Sequence, residues 1–171
     1  MLYIFDNVTD KMDFVTVILY ALESPSDHKF IFAGKEKAFY DKLMLHNKIR
    51  SNLITYYPEL DQKYKELVNT KLFFVSDFKT CMSNLKKEKY YIYGTTPHKS
   101  KSNNIFEVKL KKKSAFVFGS ENGLSKDKLN LLHELVHYPL KNASFLKLRH
   151  IFPVIHGVNL EKKRLKMHKP K

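Results

Sequence analysis

The chain has 171 residues, enough for one domain with a sizeable core. Apolar residues make up 43% of it, no apolar run is long enough to span a membrane, and the start, MLYIFDNVTDKMD, lacks the basic-then-apolar order of a signal peptide, so an intracellular protein is expected, cytoplasmic or in an organelle matrix. One cysteine, Cys81, excludes an intrachain disulfide framework and four-cysteine zinc sites, and 31 Lys/Arg against 17 Asp/Glu, a formal charge of +14, favours an anionic partner such as nucleic acid.

In chain order, "LYIF" (2–5) is a short apolar strand ending at the turn residues Asp6-Asn7. "DFVTVILYALE" (13–23) reads as a helix capped by Asp13. "KFIFAG" (29–34) is a second strand, and "EKAFYDKLMLHNKI" (36–49) spaces Phe39, Leu43, Met44 and Ile49 as a helix does. "NLITYY" (52–57) reads as a short strand; Pro58 then opens a charged helix through Leu60, Tyr64 and Leu67. "KLFFVS" (71–76) is a strand, and "DFKTCMSNLKK" (77–87) a helix capped by Ser76 or Asp77. "YYIYG" (90–94) is a strand closed by glycine. "TPHKSKSNN" (96–104) is a polar loop, "NIFEVKL" (104–110) alternates weakly, and "SAFVFG" (114–119) is a nearly continuous apolar strand.

Strands thus alternate with helices, and several strands are apolar on both faces. That predicts an α/β domain over 1–158: a mostly parallel sheet of five or six strands with helices on both faces. The closing "EKKRLKMHKPK" holds six Lys/Arg, and 159–171 is expected to be a basic C-terminal tail. Cys81 reads as a packed thiol. Tyr56-Tyr57 and Tyr90-Tyr91 are of the type that stacks on bases but fit half-buried sheet positions better. The triplet Lys111–Lys113 is a turn that also offers charge to phosphate. Lysine greatly outnumbers arginine, so part of the charge excess belongs to a lysine-rich composition rather than to a partner.

Two stretches carry candidate chemistry. The first is "FVFGSENGLSKDKL", an apolar strand ending at Gly119, with Glu121 and Gly123 at a sharp turn and Ser125 positioned to cap a helix beginning at Lys126. Loops at the carboxyl ends of parallel strands are where open α/β folds bind ligands, and glycines there let backbone approach closely. A plain strand–turn–helix connection has the same spacing. The second is "HELVHYP" (133–139), which matches the zinc-binding H-E-x-x-H pattern.

The first stretch resembles the SpoU branch of the SPOUT superfamily, RNA ribose 2'-O-methyltransferases that use S-adenosylmethionine. The family pattern is an apolar strand followed by F-G-x-E-x-x-G-L-S/P; Phe118, Gly119, Glu121, Gly123, Leu124 and Ser125 match it with one residue fewer before the last glycine. "VHYPL" stands where the family has a short strand ending in I-P-M/L. "YIFDNVTDKMDFVTVILYALES" resembles the first motif, and "YYIYGTT" the strand and loop before the Glu motif. The resemblance implies a C-terminal trefoil knot, a homodimer paired through C-terminal helices (here 142–156), and S-adenosylmethionine held by Gly94, Thr95, Gly119, Gly123, Tyr138 and Leu140. It assigns Glu121 to orienting the active-site loop or the substrate and Ser144 to the last motif. It implies RNA as partner, tRNA or rRNA, with no membrane and no DNA specificity.

The chain departs from that pattern at chemically important places. Asp13 stands for the usual Asn, Val15 for a Gly, and Leu19 for the arginine that serves ribose and phosphate. An apolar side chain cannot replace a guanidinium; Lys11 is the candidate substitute, unless a partner chain supplies one. Ser144 survives without the asparagine that follows it in the family, and Asn142 sits in another register. Two readings stay open, a divergent methyltransferase and an inactive RNA- or ribosome-binding protein on the same scaffold. A zinc protease is the distant third: Pro139 ends the segment, so His133 and His137 are expected to straddle a helix end and a strand, and no third ligand is spaced for a site.

Overall fold

The computed structural model describes residues 1–46, 51, 55, 57–140 and 146–167. Its elements are β1 (Leu2–Asp6), α1 (Lys11–Glu23), β2 (Lys29–Ala33), α2 (Lys37–Met44), α3 (Leu60–Thr70), β3 (Leu72–Val75), α4 (Phe78–Lys87), β4 (Tyr91–Thr95), a 3-10 turn (Lys99–Lys101), β5 (Asn103–Asn104), β6 (Ser114–Phe118), α5 (Lys126–Leu129), β7 (Glu134–His137) and α6 (Leu148–Met167). The strands form one seven-stranded sheet in the order β3-β2-β1-β6-β4-β7-β5. Every pairing is parallel; Ile4, for example, lies between Ile31 and Val117.

Alternation along the strands decides what each face holds. On one face lie Tyr3, Phe5, Phe30, Phe32, Phe116 and Phe118, covered by α1, α2, α3 and α6. The other face carries Leu2, Ile4, Ala33, Ile92, Ala115 and Val117 under α4 and the leucines of the 124–132 segment. Phe152 of α6 meets Tyr3, Phe5 and Phe118 edge-on, with ring centroids 5.1–5.5 Å apart. This anchors the C-terminal helix on the middle of the sheet.

Several expectations need correction. The sheet has seven strands rather than five or six, because a two-residue edge strand, Asn103–Asn104, lies in what the sequence presents as a polar loop. The weakly alternating 104–110 stretch is not a strand: beyond Asn104, Ile105, Val108 and Leu110 are buried as anchors of a turn. The first helix starts at Lys11, not Asp13, and Asp10 caps it by accepting from the N–H groups of Met12 and Asp13. Asp77, not Ser76, caps α4. The boundary expected between 158 and 159 falls inside α6, where Asn159 is buried and Lys162 donates to the carbonyls of Ile105 and Val108. The strand expected over 52–57 falls largely outside the described residues. No described helix is long and apolar enough to cross a membrane.

Candidate functional site

The carboxyl ends of β4, β6 and β7 open into one small crevice whose enclosed space is about 70 Å³. The loop after β4 contributes Thr95, Thr96 and Pro97. The loop after β6 contributes Gly119, Ser120 and Gly123. The loop after β7 contributes His137, Tyr138 and Leu140, and Leu146 and Ile151 close the side toward α6. The walls are largely apolar, with Phe118 and Val136 at the back.

Hydrogen bonds hold the three loops in register. Thr96 N–H donates to Val136 O (3.0 Å), and Thr95 Oγ1 donates to Val117 O (3.2 Å). Lys99 Nζ bonds the Leu140 carbonyl. His137 is buried, and its Nδ1 lies 2.9 Å from Ser102 Oγ. In the β6 loop, Gly123 N–H donates to Ser120 O (2.8 Å) and closes a tight turn. A Cβ on Gly119 would come within 2.5–2.8 Å of the Gly123 and Leu124 backbone. Gly119 is therefore required for the turn itself, whereas Gly123 is there for its positive φ of 69°. Gly94 has a third role: a Cβ there would strike the Leu132 side chain, so its bare Cα accommodates packing on the sheet's other face.

The loop that follows is clamped from below. Lys128 Nζ bonds both carboxylate oxygens of buried Asp6, at 2.7 Å each, and lies 5.1 Å over the Phe78 ring. Where a capping-box acid stands elsewhere, this chain uses a lysine to tie α5 to the end of β1. Helix α5 is short, Lys126–Leu129, and the side chain of Ser125, expected to cap it, makes no capping bond.

Of the other expected site residues, Glu121 stands on the rim of the crevice. Its carboxylate is 57% exposed and lies 3.5 Å from Lys147. Lys11 is exposed at the start of α1 and does not line the crevice. Leu19 packs half-buried against the aromatic core. Ser144 and Asn142 lie outside the described residues. Sequence reasoning missed Arg149: its guanidinium is 2.9 Å from Asp10 and 3.1 Å from Asp13, and its backbone N–H donates to the same Asp13 oxygen. Asp13 is buried, and burial raises its pKa while Arg149 opposes the rise. The departure from Asn at position 13 thus has a partner, an arginine far along the chain that joins the starts of α1 and α6. The missing signal is distance in sequence: nothing local connects residue 13 to residue 149.

HELVH is a turn and a strand. His133 is exposed and accepts from Ile92 N–H through Nδ1 (3.0 Å), while Glu134–His137 form β7. Four strand residues separate the two imidazoles by roughly 13 Å, too far to share a metal ion. Among the described residues no cluster of His, Cys, Asp and Glu could hold one.

The fold and crevice agree with what the chain resembles. The SpoU rRNA methylase family model matches residues 16–145. The chain belongs to the SpoU rRNA methylase family. No curated protein sequence matches it. Among solved structures, an RNA 2'-O ribose methyltransferase aligns with a TM-score of 0.68 at 13% identity, over 95% of this chain and 56% of that one. The SpoU methyltransferase AviRb from Streptomyces viridochromogenes, in complex with AdoMet, aligns with a TM-score of 0.69 at 17% identity, over 99% of this chain and 61% of its own. A protein described for 2-OH methylation of C/U34 on tRNA aligns at 0.67 and 12%, over 98% of this chain and 97% of its own. The chain thus spans somewhat over half the length of the first two. At such identities the likeness establishes the shared fold.

Proposed function

We propose that this SpoU-family chain is an RNA ribose 2'-O-methyltransferase using S-adenosylmethionine, with tRNA or rRNA as substrate. The carrying observation is the crevice built by the loops after β4, β6 and β7. Its apolar walls suit an adenine ring, and the backbone of Thr95–Pro97 and Tyr138–Leu140 would take the ring's polar edge. Gly119 keeps its turn compact enough to leave the mouth open. When bound, the cofactor supplies an electrophilic methyl group. The chain's own contribution is then orientation of a ribose hydroxyl against it. In this reading Glu121, exposed beside Lys147, meets the RNA rather than the cofactor. The knotted C-terminal passage and a homodimer paired through α6 belong to the same reading, as does an intracellular location.

One observation favours a second reading, an RNA- or ribosome-binding protein without chemistry. Position 19, an arginine in the family pattern, is a leucine packed in the core, and Lys11 does not reach the crevice. Calorimetric titration with S-adenosylmethionine separates the two. We expect micromolar binding, and transfer of labelled methyl to 2'-hydroxyls of unfractionated RNA. Absence of binding at millimolar cofactor would reject the enzyme and leave the scaffold.

A further inference from the structure

At the amino ends of the same strands lies a second cleft, of about 430 Å³. The residues leading into β6, Lys111–Lys113, form one wall, and Tyr90 leads into β4 beside them. Helix α6 supplies Asn159, Lys162 and Lys163 opposite, and Asp27 precedes β2. Five lysines line it against one carboxylate. Asp27 pairs with Lys163, whose Nζ lies 2.8 Å away, and Lys113 Nζ lies 3.9 Å from the Glu88 carboxylate and donates to the Glu88 carbonyl at 2.6 Å. Lys162 donates to the carbonyls of Ile105 and Val108, which orients the ammonium. Lys113 sits 4.4 Å over the Tyr90 ring, and Lys111 5.7 Å over Tyr91. A row of cations laid on aromatic faces is the composition that tracks a nucleic-acid backbone.

Asn159 of α6, 2% exposed, lies at the floor. Ser24 Oγ donates to Tyr20 O, so His156 Nε2–H donates to Ser24 and the Tyr3 hydroxyl donates to His156 Nδ1; Asn159 Nδ2 then meets the remaining lone pair of Tyr3 Oη at 3.5 Å and fixes α6 beneath the cleft.

We propose that this amino-end cleft is a phosphate-binding surface for RNA, separate from the crevice at the carboxyl ends. The proposal rests on the reading of the substrate as RNA and adds a second contact to it. Lys113 and Gly119 bracket β6, so the two sites stand roughly 20 Å apart along the strand. A single nucleotide cannot touch both, whereas a folded RNA whose target ribose lies at the crevice can carry its backbone around the outside of the domain to the lysines. The cleft would then hold the RNA without contacting the base that is modified, and affinity would come from phosphates alone.

The test is fluorescence anisotropy with fluorescein-labelled unfractionated tRNA, from 50 to 300 mM KCl, on the full chain. The triple variant Lys111→Gln/Lys112→Gln/Lys113→Gln is compared with Lys37→Gln/Lys65→Gln/Lys79→Gln, which removes the same charge from exposed positions elsewhere. Each lost phosphate contact lowers the slope of log K against log salt by about 0.7–0.9. We expect the cleft triple to lose about two units of slope and roughly tenfold in affinity near 100 mM salt, and the control triple less than one unit. S-adenosylmethionine titration is expected to be the same for both variants and the parent, which shows that the carboxyl-end crevice and the fold are intact. Lys112→Glu, on the exposed loop alone, gives a second measure with less risk to folding and is expected to weaken RNA further than Lys112→Gln. Equal slopes for the two triples overturn the proposal, since diffuse charge then explains the binding. Tighter binding to phosphatidylserine vesicles than to RNA at the same salt also overturns it. A parent chain that binds no tRNA at 50 mM salt rejects the RNA reading itself, a result distinguishable because the variants are then not needed.

Discussion

Arg149 shows how a single residue can restore a family position by other means. Asp13 is an acid where the family has an amide, and it is buried. A buried carboxylate without a cation is costly, and Arg149 supplies the cation together with two hydrogen bonds. Arg149→Ala is therefore expected to cost about 2–4 kcal/mol in urea unfolding, mostly through the stranded Asp13. Asp13→Asn in the Arg149→Ala background is expected to recover much of that loss, because the neutral amide keeps the polar contact without the charge. Additive single losses in the double variant would mean that the two side chains do not act as a pair. Glycine gives a second contrast at this scale. Gly119→Ala drives a Cβ into backbone and is expected to lower the melting temperature by several degrees more than Gly123→Ala, whose Cβ meets open space. The reverse order would show that the positive φ at Gly123 matters more than the contact at Gly119.

Elements differ in how plainly the sequence announces them. β1, β2, β4 and β6 are readable because a strand covered on both faces is apolar throughout, with aromatics toward one layer of helices and smaller aliphatics toward the other. β5 is not, since Asn103 and Asn104 have no apolar signal and pair only because β7 lies beside them. The HELVH segment is ambiguous by periodicity, and Pro139 is what favours its strand ending. The turn at Gly119 and Gly123 was visible as glycine spacing after an apolar strand, whereas Tyr138 entered only through the family resemblance; all three line the crevice. Asp6–Lys128 and Asp13–Arg149 were not, because charge pairs closed by the fold have no sequence spacing. The stretch from 159 looked like a polar tail because what ties it down is polar: Asn159 is buried and Lys162 bonds two backbone carbonyls.

Burial also makes α6 sensitive to acid. His156 is 4% exposed, with Nδ1 3.0 Å from Tyr3 Oη and Nε2 3.2 Å from Ser24 Oγ, and burial lowers its pKa to about 4. The unfolded chain takes up a proton on this ring near pH 6.5 while the folded chain does not until about pH 4. Between those values the unfolded state binds more protons, so stability falls as pH falls, by about 2 kcal/mol from pH 7.5 to pH 5 for this ring alone. His156→Gln removes the titration. Its urea midpoint is expected to be lower than the parent's at pH 7.5 and to change less on going to pH 5. A parent and variant with parallel pH profiles would show that His156 is not held neutral.

On the scale of the whole molecule, the sheet separates two kinds of task. Its carboxyl edge gathers glycine turns and backbone groups, its amino edge gathers lysines, and α6 runs past both. The same helix is the proposed dimer element. Its apolar content alone does not require a partner: Leu148, Phe152 and Ile155 are buried within their own chain. What remains for a second copy is a half-buried strip including Ile151, Val154 and Val158, adjacent to the crevice through Ile151. Lys11 is exposed at the start of α1 and does not line the crevice of its own chain. The reading in which a partner chain supplies the missing cation makes activity depend on the pairing. Sedimentation at micromolar concentration is expected to give a species of twice the 20.2 kDa chain mass. Val154→Glu, which places a carboxylate in the strip, is expected to shift it toward the monomer while leaving Phe152 seated on the sheet. If the pairing completes the site, methyl transfer falls with the dimer fraction as the variant is diluted, and S-adenosylmethionine binding falls less. A chain that sediments as a monomer at all concentrations, yet transfers methyl groups, would show that each crevice works with its own residues alone.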